Sequence, residues 1–211
     1  MVVEGYRVKA VLFDFDGTLT RPGALDFDAL RRELGCPARM PVLECIQGMA
    51  EDARRRRAWE ALDRFEERGA VASRPNEGAK SLVRRLKQKG LMVGILTRNC
   101  RAAVLRALQN FGGLGPADFD LIVTRDDPVL PKPAGDGVRY AAEHLGVDLH
   151  QVLVVGDFHL DMQAGHAAGA MTVLLDPAQD SRMADVPCDW RIRQLAELMA
   201  IVAHENGRLV P

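Results

Sequence analysis

Val11-Leu12-Phe13-Asp14-Phe15-Asp16-Gly17-Thr18-Leu19 runs from an apolar, β-prone segment straight into two carboxylates and a glycine. With Val8 and Ala10, the first three residues read as a buried strand, and Gly17 permits backbone angles closed to other residues. Asp14 and Asp16 therefore sit at the carboxyl end of that strand. In open parallel α/β sheets this is the end at which ligands bind. Residues i and i+2 share one face of a strand, so both carboxylates can face one ligand or ion. Like charges so close repel unless a cation or a shared proton lies between them. A turn that merely favours Asp and Gly explains the stretch as well, so residues further along the chain must decide.

The 211 residues suffice for one full core and a modest second unit. Hydrophobic residues at 47% and charged ones at 27% fit a globular chain and argue against disorder or a fibre. A formal net charge of -1 offers no electrostatic case for nucleic acid or an anionic membrane as partner. Residues 1–7 lack the apolar segment of a signal peptide, and no run approaches the ~18 apolar residues of a membrane span. The expectation is a cytoplasmic protein. Cys36, Cys45, Cys100 and Cys188 have neither C-x-x-C nor zinc-type spacing, so reduced structural thiols are expected.

After Thr20-Arg21-Pro22-Gly23, a breaker cluster able to act as a hinge, the pattern turns helical: residues 26–34, 42–49 and 51–68, with no strand between. The longest carries Ala58, Leu62 and Phe65 as an apolar stripe flanked by Trp59. Its Arg54-Arg55-Arg56-Arg57 run points around most of the helix. It reads as a solvated face paired with Glu51, Asp52, Glu60 and Glu66. Arg21, this run and Trp59 remain candidates for contact with a substrate.

From Pro75 the chain alternates helix and strand. Strands are expected over 91–96, 119–123, 151–155 and 171–175, and helices over 79–89, 100–110, 137–145, 162–168 and 195–203. Polar residues recur at the strand ends. Thr97-Arg98-Asn99 precedes a helix, so a hydroxyl and unpaired N–H groups can meet an anion there, or Thr97 or Asn99 can simply cap that helix. Lys132 stands between Pro131 and Pro133, which predicts a rigid extended backbone aiming one positive charge. Gly156-Asp157 ends another strand, with Asp161 on the opening turn of the next helix. Right-handed crossovers bring such ends to one rim. Carboxylates, a hydroxyl and a lysine, without a His or Cys ligand set, suit a hard cation, and Mg²⁺ fits best. His159 lines the cleft or stands just outside it.

These stations resemble the four motifs of the haloacid dehalogenase (HAD) superfamily: Asp14-Phe15-Asp16-Gly17-Thr18, Thr97-Arg98-Asn99, Lys132 between prolines, and Gly156-Asp157-x-x-x-Asp161 followed by Ala164-Gly165-x-x-x-Gly169. The resemblance implies an α/β core of residues 1–19 and 75–211, a Rossmann-like parallel sheet of about five strands. Residues 20–74 are then a small helical cap of the type in phosphoglycolate-phosphatase-like members, short for that group. It further implies a Mg²⁺-dependent phosphatase acting on a small phosphorylated metabolite. Asp14 is the nucleophile that becomes an aspartyl-phosphate, and Asp16 the general acid and base. The metal ligands are Asp14, Asp157 and, through its backbone carbonyl, Asp16. Thr97, Arg98 and Lys132 bind phosphate, and Asp161 supports Lys132. A phosphosugar mutase uses the same residues. A non-catalytic module of this fold would have lost one of the stations, and all four are present.

Overall fold

The computed structural model describes residues 8–38 and 40–207, so the reading of residues 1–7 lies outside the described part. Six strands form one parallel sheet: β1 (Ala10–Phe13), β2 (Met92–Leu96), β3 (Leu121–Val123), β4 (Val152–Gly156), β5 (Met171–Leu175) and β6 (Trp190–Ile192). Their spatial order is β3-β2-β1-β4-β5-β6. β1 is therefore central, with Phe13 level with Ile95 on one side and Val155 on the other. The chain steps outward from β1 through β2 to β3, then returns to lay β4 on β1's opposite flank. That reversal opens a crevice beyond the carboxyl ends of β1 and β4.

Period-two alternation divides β1 between two cores. Val11 and Phe13 face a cluster with Leu82, Val83 and Leu86 of α4 (Ala79–Gln88) and Val104 and Leu108 of α5 (Arg101–Leu108). Ile201 and Val202 of α8 (Leu198–Gly207) join the same side. Ala10 and Leu12 face the other way, toward Val138 and Ala141 of α6 (Asp136–Leu145) and Ala164 and Ala168 of α7 (His159–Ala168). Helices on both faces explain why the strands read as nearly continuous apolar runs.

Between Leu19 and Pro75 lie α1 (Phe27–Leu34), α2 (Val42–Gln47) and α3 (Asp52–Ala72). They share a cluster of their own, with Leu30, Leu43, Ile46, Ala58 and Leu62 at its centre. The two chain crossings into this segment are zipped together. Thr20 bridges Pro75, Arg21 N donates to Arg74 O at 2.9 Å, and Asn76 N donates to Leu19 O at 2.8 Å.

The structure corrects several expectations. The sheet has six strands rather than five, because β6 is only three residues long and carries Arg191 at its centre, a pattern without an apolar run. Cys36 and Cys45 are joined as a disulfide with Cα atoms 5.9 Å apart, while Cys100 and Cys188 are free. Left-handed Gly35 reverses the chain after α1 and brings Cys36 alongside α2, a meeting that the spacing in sequence does not announce. The backbone at Lys132 turns instead of extending: Ala134 N donates to Pro131 O at 3.1 Å, and the Lys132–Pro133 peptide is cis.

Glu66 does not serve the arginine run; it is buried against Arg125. Of that run, Arg55 pairs with Asp52 one turn back and donates to Met49 O at 2.7 Å, and Arg54 donates to Leu34 O at 3.3 Å. Trp59 lies under the Arg125 guanidinium, 5.7 Å from ring centre to Cζ. No described helix is long and apolar enough to cross a membrane.

Candidate active site

Asp14 leaves β1 with its N–H donating to Val155 O at 2.8 Å, which fixes its position at the crevice. The chain then folds into a tight turn over Phe15–Leu19, closed by Thr20 N on Phe15 O at 2.8 Å. Gly17 has φ +81°, and a Cβ there would collide with the Asp157 carboxylate. Gly156 is under the same constraint, since a Cβ would run into Asp161. The two motif glycines thus allow carboxylates from β1 and β4 to crowd into one space.

Lys132 organises that space. Its Nζ donates to Asp14 Oδ1 at 2.5 Å, Asp161 Oδ1 at 2.5 Å and Leu96 O at 2.8 Å, using all three ammonium protons. Asp161 Oδ2 accepts from Phe158 N at 3.1 Å. Burial opposes the lysine's charge, but the Asp14 and Asp161 carboxylates outweigh it and hold the ammonium above its ordinary value. Burial, with Asp161 and Asp157 close by, drives the Asp14 carboxyl well above the usual carboxylate range despite Lys132. Asp157 is raised to about 7, first by burial and then by Asp161.

Ligand oxygens of Asp14, Asp157 and Asp161 lie within 4.8 Å of one another. Three carboxylates, one buried and two partly so, crowd around one ammonium that bonds only two of them, so the site carries excess negative charge. That surplus, and its purely oxygen donor set, fit a hard divalent cation. Of the expected metal residues, the side chain of Asp16 stands apart from this group. Its Oδ2 accepts from Asn99 Nδ2 at 2.5 Å. Burial raises the Asp16 carboxyl to about 6, against the Asn99 hydrogen bond and aided by the negative charge of Glu66.

Thr97 follows β2 directly, its N–H donating to Val123 O at 3.0 Å and its Oγ1 accepting from Asn99 N at 3.2 Å. The Arg98 side chain is engaged apart from the backbone N–H that the resemblance sets against phosphate. Its guanidinium donates to Glu44 Oε1 at 3.0 Å and Oε2 at 2.5 Å, on α2, and to the Lys132 carbonyl. His159 lies tilted against the exposed ring of Phe158, with ring centres 4.0 Å apart, and burial lowers its imidazole below the ordinary value. Asp14, Thr97, Lys132, Asp157 and Asp161 therefore meet at one rim, with Asp16 and Arg98 beside them.

The model of the haloacid dehalogenase-like hydrolases matches residues 8–169, from β1 to the end of α7. The chain belongs to that family. It is 32% identical over 205 residues to an uncharacterized hydrolase of Saccharomyces cerevisiae, covering 95% of this chain and 93% of the yeast protein. It is similar also to the pyrophosphatase PpaX of Bacillus velezensis, 32% identical over 180 residues and covering 79% of this chain and 82% of the relative. The N-acetylmuramic acid 6-phosphate phosphatase of Pseudomonas aeruginosa is 30% identical over 190 residues, covering 79% and 80%. The class expected from the motifs, a HAD-like phosphatase enzyme on an α/β fold, stands.

Three residues outside the motifs also join the site, Glu44, Glu66 and Arg125, and Asn99 of the second motif takes a role there that the motif did not assign. Glu66 lies four positions beyond Leu62, on the inward stripe of α3, where a carboxylate needs a partner. That conflict is the signal by which sequence could have found it.

Proposed function

We propose that the protein is a Mg²⁺-dependent phosphomonoester hydrolase that acts on small phosphorylated metabolites through an aspartyl-phosphate on Asp14. The observation that carries this reading is the Lys132 bridge. It occupies one oxygen of Asp14 and leaves the other, Oδ2, without a hydrogen bond among the described residues. A buried carboxylate held by one edge is oriented for attack by the other.

Asp14 Oδ2 attacks phosphorus, and the ester P–O bond breaks. Asp16 gives its proton to the departing alkoxide, then takes one from the water that attacks the aspartyl-phosphate, releasing phosphate and restoring both residues. A carboxyl raised to about 6 can hold or release a proton near neutrality. The Thr97 hydroxyl and the Arg98 backbone N–H face the phosphoryl oxygens, while Lys132, kept in place by Asp161, restrains Asp14 and neutralises charge from its bonds. Asp14, Asp157 and the Asp16 carbonyl would hold Mg²⁺, which supplies the charge neutralisation that lets a carboxylate and a phosphate approach. Arg98 lends its side-chain charge from behind Lys132 while tied to Glu44. Residues 20–74 serve as a cap on a core of 1–19 and 75–211, and the relatives acting on phosphate compounds support the substrate class.

The test is a phosphate-release screen over phosphorylated metabolites and pyrophosphate, with Mg²⁺ and with Asp14→Asn as blank. We expect Asp14→Asn to lower turnover by at least about 10³-fold with the fold intact. EDTA should silence the wild type and Mg²⁺ restore it. Full activity in Asp14→Asn would end the proposal. A mutase would instead conserve total ester and require a bisphosphate activator.

A further inference from the structure

Asn99 is gripped from two directions. Its carbonyl accepts from Arg125 N at 3.1 Å, and the next residue, Cys100, donates its N–H to Glu66 Oε2 at 2.9 Å. The two gripping residues are bonded to each other, because the Arg125 guanidinium pairs with Glu66 Oε1. Glu66 is 2% exposed and Arg125 9%. On its outer side Arg125 also pairs with Asp63 of α3 and lies over the Trp59 ring. The side chain held at the centre of this bracket, Asn99 Nδ2, makes the hydrogen bond to Asp16.

We propose that Glu66 and Arg125 are a positioning pair for the reaction: they fix the Asn99 loop, and through it the Asp16 carboxyl, at the place where the leaving oxygen needs its proton. Resting on the phosphatase reading above, this gives α3 a part in catalysis that substrate recognition by the helical segment does not require. Two features set the pair apart from an ordinary strut. Its Glu66–Arg125 bond is largely buried, so water competes little for it, and its inner end terminates on the backbone flanking Asn99. A tilt of that loop withdraws Asn99 Nδ2 and leaves Asp16 only its weaker tie to Thr20, while Asp14 and Asp157 stay on their own strand ends and Lys132 stays on its bonds to Asp14, Asp161 and Leu96 O. Loss of the pair therefore impairs proton delivery and spares nucleophilic attack.

Leaving-group dependence separates these two outcomes. Release of 4-nitrophenolate needs little protonation, whereas release of phenolate from phenyl phosphate, a molecule of nearly the same shape, depends more on the acid. The kcat/KM values of wild type, Glu66→Gln, Arg125→Lys and Asn99→Ala, which report the steps up to leaving-group departure and not the hydrolysis of the aspartyl-phosphate common to both esters, are compared with saturating Mg²⁺, and folding is checked by circular dichroism. Arg125→Lys retains the charge and keeps the experiment decisive where Glu66→Gln does not fold. The expected result is that each folded variant loses at least about ten-fold more kcat/KM on phenyl phosphate than on 4-nitrophenyl phosphate. Equal losses on both esters in folded variants would overturn the inference and leave the pair a structural strut. A wild type that hydrolyses neither ester in an Asp14-dependent way would remove the phosphatase reading and this inference with it.

Discussion

Lys132 shows how one side chain can serve stability and chemistry at once. Its ammonium satisfies two buried carboxylates and a strand-end carbonyl, so its removal strands two negative charges in a dry site. Breaking a buried pair in this way costs about 3–5 kcal/mol. Lys132→Met should therefore lower the urea midpoint of the metal-free protein steeply. An unchanged midpoint would show that the carboxylates shed their charge at no cost. The sequence made Lys132 legible through its two prolines and through the recurrence of polar residues at strand ends. It did not show Asn99 as Asp16's partner, because Asn99 has an equally good local use as a helix cap and its actual bond spans 83 positions.

At the scale of elements, two charged struts join the helical segment to the sheet domain, and burial makes them unequal. Arg98–Glu44 is open to water, with the Glu44 side chain 37% exposed. Screening limits such a pair to about 1 kcal/mol. Arg125–Glu66 is enclosed, and neutralising one partner leaves a buried charge, at about 3 kcal/mol or more. Glu44→Gln and Glu66→Gln should thus separate clearly in urea denaturation, the second being much the less stable; equal stabilities would contradict this ranking. The helices were legible from their 3.6-residue stripes, and α3 differs from its expected span chiefly by running four residues further, to Ala72. That α3 packs against α5 was not legible, nor was the Cys36–Cys45 bridge, since both depend on where the chain turns back rather than on any local pattern.

For the whole molecule, the crowding of carboxylates sets the response to pH and metal. Asp16 at about 6 and Asp157 at about 7 both lie above their unfolded value of 3.8. In the metal-free protein the folded state then binds more protons than the unfolded state between about pH 4 and 7, so their contribution to stability falls as pH rises through that window. Asp157→Asn should flatten this decline. A bound cation takes the proton's place, so Mg²⁺ should raise the melting temperature more at pH 7.5 than at pH 5. A Mg²⁺ effect independent of pH would contradict the placement of the cation among these groups. The topology behind this crowding was largely legible, since strand–helix alternation puts the polar stations on one rim. The sixth strand was not, because an edge strand of three residues around an arginine carries no apolar signature.

The most direct test of the central claim is beryllofluoride binding followed by ¹⁹F NMR, because beryllofluoride bonded to an aspartate mimics an aspartyl-phosphate. The account predicts a Mg²⁺-dependent adduct on the wild-type protein that disappears in folded Asp14→Asn. An adduct that persists in Asp14→Asn, or none on the wild type with Mg²⁺ present, would contradict Asp14 as the nucleophile.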